Sequence, residues 1–187
     1  MKGIFMSIDR SSWQIKDEAT LTELVTLMNL QPNEVALLKS LEGEARRIAP
    51  EMTKAFYDRL FAHDQTAEYL QGASIERLHG MVQDWFVGLF SGEYDAAYAR
   101  RRIGIGQIHV RIGLPVRYPL AMLDIVLPFG EAVARSSKQP EAAAIAVRKV
   151  LALDVAIFNQ AYEDNQLQHL AELVGGERLA RRLLTGS

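Results

Sequence analysis

No cysteine occurs among the 187 residues. That absence removes disulfides, thiolate metal sites, iron–sulfur clusters and cysteine nucleophiles together, and leaves His, carboxylate, Tyr and Met as metal donors. Excess charge of one sign is lacking too. The 21 Lys and Arg against 23 Asp and Glu give a formal net charge of −2, which offers no electrostatic grip on nucleic acid or anionic lipid. Long hydrophobic runs are also missing: LAMLDIVLPFG at 120–130 is interrupted by Asp124 and Pro128, well short of the ~18 uninterrupted apolar residues of a membrane span. At the N-terminus Asp9 and Arg10 interrupt the apolar residues before a signal-peptide core forms. The expectation is a cytoplasmic protein with no nucleic-acid partner and no membrane insertion.

Catalytic signatures are equally scarce. There is no GK[ST] phosphate loop, no HExxH and no GxSxG, and the histidines at 63, 79, 109 and 169 never stand four apart. GIGQIHVRIG has glycines at 104 and 106, but a dinucleotide fingerprint needs a third where His109 stands, and no strand precedes it. Glu42 and Glu44 are two apart, on different sides of a helix, and read as solvated charge. No catalytic residue is assigned, and the chain is expected not to be an enzyme.

What is present is helical periodicity. Apolar residues make up 49% of the chain and recur at spacings of three and four, which predicts a single all-α domain. Leu21, Leu24, Val25 and Met28 form the stripe of a first helix within 17–30. A second restarts with Asn33 as its N-cap, and Pro50 is expected to mark the boundary before a third. Ser74 caps a fourth over 75–90, striped by Ile75, Leu78, Val82, Trp85 and Leu89. The next helix is expected to begin after Ser91-Gly92 and run to Gly113, whereupon Pro115 opens another that Pro119 and Pro128 should bend or restart. A long last helix, about 141–174, ends at Gly175-Gly176. The organisation is therefore an N-terminal extension (1–16), one helical domain (17–174) and a short basic segment (175–187).

His109 is the odd residue. Ile105, Ile108 and Ile112 form an apolar stripe, and His109 follows Ile105 by four, so the imidazole projects from that stripe. Two readings stand at this point. One is a packed histidine with both ring nitrogens satisfied; the other is an axial metal ligand, with one nitrogen on a backbone carbonyl and the other a lone pair facing apolar space. Gly104, Gly106 and Gly113 let a helix approach a flat cofactor or a neighbouring helix closely. Tyr57, beside Phe56 in KAFYDRLF, needs a hydrogen-bond partner if it is buried. Bound dioxygen is one candidate, and water at a helix interface is the other.

AFYDRLF followed by SIERLHGMVQDWFVGLFSGEYDAAYARRRIGIGQIHVRIGLPVRYPLAML closely resembles the globin domain of bacterial globin-coupled sensors, related to protoglobins. The resemblance covers about residues 30–170, and IGQIHVRIGLPVRY is its most specific part. It implies an all-α globin fold in the sensor variant, with an extra N-terminal helix, a short or absent D helix and long G and H helices. It implies haem b (iron protoporphyrin IX) as cofactor, with His109 as its proximal ligand and Tyr57 donating a hydrogen bond to bound dioxygen. Leu78 matches the distal position where ordinary globins carry histidine, with Met81 and Val82 one turn on. Phe56, Phe86, Ile105, Ile108, Ile112, Tyr118 and Met122 are the remaining candidates for the haem wall, and Tyr118 is a candidate hydrogen-bonding group on the proximal side. His79, about 100° round the helix from Leu78, is expected at the surface or the haem edge.

The partners implied are dioxygen, with CO or NO, a second copy of the chain, and a C-terminal output domain. Helix G (about 115–136) and helix H (about 141–174) would supply Leu123, Val126, Leu127, Val150, Leu153, Val155, Phe158 and Tyr162 to the core and a homodimer interface. A shift of His109 would pass through the Gly113-Leu114-Pro115 corner into helix G. The competing readings are a haem-free globin-fold signalling domain and a stand-alone haem globin with redox or nitric-oxide dioxygenase activity.

Overall fold

The computed structural model describes residues 18–186, so the expected extension over 1–16 lies outside the described residues. These residues form ten α-helices: α1 (Glu18–Leu27), α2 (Pro32–Ser40), α3 (Glu42–Phe61), α4 (Asp64–Ala67), α5 (Ile75–Gly88), α6 (Ala96–Arg111), α7 (Arg117–Ala121), α8 (Leu123–Arg135), α9 (Pro140–Val174) and α10 (Glu177–Thr185), with a 3-10 turn at Glu68–Leu70. None of the described helices is long and apolar enough to cross a membrane.

Local chemistry sets most of these bounds. The cap of α2 is Gln31 and not Asn33. Pro32 occupies the first turn, where its missing N–H costs nothing, and the Glu34 carboxylate accepts from the Gln31 N–H at 2.8 Å. Lys149 of α9 also donates to Glu34 at 2.8 Å, so the cap is tied to the far end of the chain. Pro50 does not start a helix; it lies inside α3. Its missing N–H would have bonded the Arg46 carbonyl, and both residues face solvent, so water can serve that oxygen instead. Ser74 caps α5 as expected, accepting from the Arg77 N–H at 3.3 Å. The cap of α6 is Asp95, later than Ser91-Gly92, and accepts from the Tyr98 N–H at 2.8 Å.

α6 ends in a Schellman turn. Gly113 has φ 71°, its N–H reaches the Val110 carbonyl at 2.9 Å, and the Leu114 N–H reaches the carbonyl of His109 at 2.9 Å. The expected helix G is two pieces: α7, which contains Pro119, and α8, which restarts after Met122 and carries Pro128 without ending. The expected helix H is α9, closed by Gly175 at φ 80°. Beyond it α10 turns back and packs on α9, burying Ala180.

α9 is the axis of the molecule, with α1, α2, α6, α8 and α10 packed on it, while α3 packs on α5 and α8. The main core gathers fully buried Leu38, Met52, Phe86, Phe90, Val126, Val133 and Val150. A second cluster joins Leu21 of α1 to Tyr98, Ala99, Leu153 and Ile157. Each large apolar side chain so buried contributes about 1.5–3 kcal/mol.

The closest approach of α6 to α9 occurs at Gly106. A Cβ there would stand 2.6 Å from the Phe158 carbonyl oxygen and 2.7 Å from the Ala161 Cβ, whereas a Cβ at Gly104 meets nothing within 4 Å. In urea denaturation of the haem-free chain, Gly106→Ala is expected to cost about 1–3 kcal/mol through overpacking. Gly104→Ala should instead stabilise by up to about 1 kcal/mol through helix propensity. Equal effects at the two sites would contradict the packing described.

Candidate functional site: an imidazole on α6 and a phenol on α3

His109 is the third residue from the end of α6, half-buried, with its ring edge-on to Phe158 of α9 (centroids 5.4 Å apart, interplanar angle 81°). Its Nδ1 stands 2.8 Å from the Ile105 carbonyl oxygen. That oxygen only accepts, so Nδ1 carries the hydrogen and in the neutral ring Nε2 keeps its lone pair. Burial holds the His109 pKa below the usual histidine value, which favours that neutral form. One ring nitrogen is therefore committed to the helix and the other remains a donor to a metal.

The apolar residues around it are unusually open. Ile108 and Ile112, on the His109 side of α6, are 44% and 50% exposed, and Met81 of α5 is 43% exposed. Ile105, Leu78, Val82 and Phe56 are half-buried, and Met122 is buried. α5 and α6 are not packed along their lengths; they meet where Arg102 donates to the Trp85 carbonyl at 3.3 Å. Among the described residues no group of three or more His, Asp or Glu is placed to hold a metal ion. A lone neutral imidazole on an apolar stripe does not chelate a bare ion, but it suits the axial position of a metal already held by a flat apolar macrocycle.

Tyr57 is 5% exposed on α3. Burial alone pushes its pKa up to about 12, so the hydroxyl stays protonated and able to donate at any physiological pH. Phe56 meets it edge-on at 5.5 Å, and His79 of α5 stacks on it with centroids 4.7 Å apart and planes 30° from parallel. His79 is thus half-buried against the phenol. One turn before Tyr57, the Thr53 hydroxyl is the buried side-chain polar atom without a partner among the described residues.

Two further expected wall residues have these surroundings. Phe86 is fully buried in the main core, edge-on to Phe90 at 5.6 Å. Tyr118 accepts from Arg117 at 3.4 Å and lies beneath that guanidinium. The phenol that bonds the turn after His109 is Tyr162 of α9, which donates to the Leu114 carbonyl at 3.0 Å. Phe158 and Tyr162, 5.5 Å apart, had been assigned only to core or interface, because an apolar period on a long helix does not reveal which neighbour it meets.

The helix order, the central α9 and the facing of α3 and α5 with α6 on one side define a globin fold of the sensor type, with α1 and α2 ahead of the helix that bears Tyr57 and only the short α4 between α3 and α5. The protoglobin family model matches residues 17–168, and the chain belongs to that family. It is similar to the globin domain of a globin-coupled sensor from Geobacter sulfurreducens, with a TM-score of 0.71 and 29% identity over 75% of this chain and 96% of that one. The globin domain of E. coli DosC, in a ferrous form, shares the fold with a TM-score of 0.60 and 18% identity, over 77% of this chain and 98% of that one. A heme-based aerotactic transducer, HemAT, of Halobacterium salinarum is 27% identical over 169 residues, 82% of this chain. The chain spans about a third of that relative's length, 35%.

Proposed function

We propose that this chain is a haem-binding sensor globin that takes up dioxygen, and CO or NO, and reports the event through its long C-terminal helices. One observation carries the reading: the neutral His109 ring spends its only N–H on the Ile105 carbonyl and offers Nε2 as a donor beside exposed apolar side chains. The family resemblance implies haem of the b type, and a chain without cysteine has no thiol for covalent attachment. When bound, ferrous haem supplies reversible attachment of diatomic gases. The protein would supply an imidazole ligand from His109, apolar contact from Leu78, Met81, Val82, Ile105, Ile108, Ile112 and Met122, and a protonated phenol from Tyr57. The aerotactic relative is described as heme-based, which supports the same cofactor here.

An open groove of about 520 Å³ between α7, α8 and α9, lined by Leu120, Leu123, Leu127, Leu151 and Val155 with Arg148 and Asn159 at its edge, supports a homodimer through helices G and H. The further length of the aerotactic relative supports a C-terminal output domain. Signalling, on this reading, enters α9 directly. α6 lies against α9 through Gly106 and Phe158, and Tyr162 of α9 holds the Leu114 carbonyl in the corner, so a shift of His109 meets α9 before it reaches α8.

Haem titration tests the proposal. The Soret band is expected to saturate at one haem per chain, the ferrous form to change reversibly with CO and dioxygen, and light scattering to return twice the chain's 20.9 kDa. No saturable uptake would leave a haem-free globin-fold domain, and a monomer would remove the groove's role.

A further inference from the structure

α5, α6 and α9 meet at a buried charge that gas binding does not use. Asp154 of α9 and Arg102 of α6 are 3% and 5% exposed, and the Arg102 Nε donates to Asp154 Oδ1. The Tyr98 hydroxyl donates to the same oxygen at 2.6 Å, and the Trp85 indole N–H donates to Oδ2 at 2.8 Å. The guanidinium also lies over the Tyr98 ring, 4.4 Å from its centroid. Gly88 makes room for it, since a Cβ there would stand 2.9 Å from Arg102 Nη2. One carboxylate thus receives donors from three side chains on two other helices.

Such a cluster is a poor way to gain stability, because a well-packed apolar replacement is commonly as stable or more so. Its best-attested use is to specify register. The other contacts of α6 with α9 are apolar packing, of Tyr98 and Ala99 on Leu153 and Ile157, which is less directional than a hydrogen-bonded charge. At the His109 end the helices approach closely at Gly106, which has no side chain of its own to resist sliding or rolling there. Arg102 is seven residues before His109, two turns or about 10 Å along the same face, so whatever fixes Arg102 fixes the imidazole.

We propose that Asp154 is a positioning residue for His109: by gripping Arg102, Tyr98 and Trp85 together it fixes the rotation and axial register of α6 between α5 and α9, and so the place of the Nε2 lone pair. The metal-binding consequence rests on the haem reading above; the positioning of the ring does not.

Asp154→Asn keeps the shape, but Arg102 and Trp85 are donor-only groups and the new amide has a single accepting oxygen for them. Asp154→Leu combined with Arg102→Leu removes the charges as a pair and leaves no unpaired buried charge, although the Tyr98 hydroxyl and the Trp85 N–H lose their acceptor. In the haem-free chain, both variants are expected to retain helical circular dichroism and to displace or split the His109 ring signals in NMR. Amide exchange along α6 should rise by about 100-fold or more in Asp154→Asn. In the haem-loaded ferrous protein the iron–histidine stretching band should shift or broaden. If Asp154→Asn does not fold, the paired variant decides. Ring signals and an iron–histidine band at wild-type positions in a folded paired variant would reduce Asp154 to a packing residue and overturn the proposal. Absence of haem uptake by the wild type would sink the haem reading alone, since the ring signals of the haem-free chain still report the positioning.

Discussion

His109→Gly is expected to abolish one-to-one haem uptake, and free imidazole added to the variant is expected to restore it. His109 is the one histidine of α6, so its bond to a haem iron has no imidazole substitute on that helix. Apolar contact alone can still hold haem weakly, which is why the informative readout is the histidine-type Soret band and its stoichiometry. The missing ring takes away one side chain and leaves the backbone of the Schellman turn intact, because the bond at that turn uses the carbonyl of residue 109 and not its ring. Rescue by imidazole would separate loss of a ligand from loss of the fold. A variant that retains the wild-type spectrum without imidazole would refute the axial assignment.

How much of this was legible in the sequence differs residue by residue. The imidazole on an apolar stripe could be read because Ile105, Ile108, His109 and Ile112 belong to one helix, where spacing fixes the face. The turn at Gly113 was legible for the same reason. Pro50 was misplaced because the cost of an internal proline depends on whether the carbonyl four residues back can reach water, which only the packing of α3 decides. His79 was expected at the surface or the haem edge from its rotation relative to Leu78, and spacing on α5 alone does not reveal that the Tyr57 phenol of α3 stacks on it. Asp154 stands in the middle of VLALDVAIF, a lone acid in an apolar stretch, and that was a readable sign of a buried charge. Its partners were not readable, since Trp85, Tyr98 and Arg102 come from two distant helices that only the tertiary fold assembles. Phe158 and Tyr162 were hidden in the same way: the period of α9 marks them as buried without saying that the neighbour is His109 and its turn.

Tyr57→Phe carries the other large effect, and it falls unequally on the two gases. Dioxygen bound to ferrous haem takes on partial negative charge and CO far less, so a single phenolic donor in an apolar pocket discriminates between them. A hydrogen bond to a charged acceptor is worth about 1.5–3 kcal/mol, which corresponds to dioxygen dissociation faster by about 10- to 100-fold in the variant. CO dissociation should change by no more than about threefold. The substitution is clean because it deletes one oxygen and keeps the ring that Phe56 and His79 pack against, and the lost hydroxyl is one whose raised pKa comes from burial alone. Stopped-flow release of each gas decides the matter. Equal acceleration of both would mean that the ring, and not its hydroxyl, shapes the pocket, and the stacked pair of Tyr57 and His79 would then act as a steric wall. Because burial keeps the phenol protonated, the discrimination should not vary with pH through the physiological range.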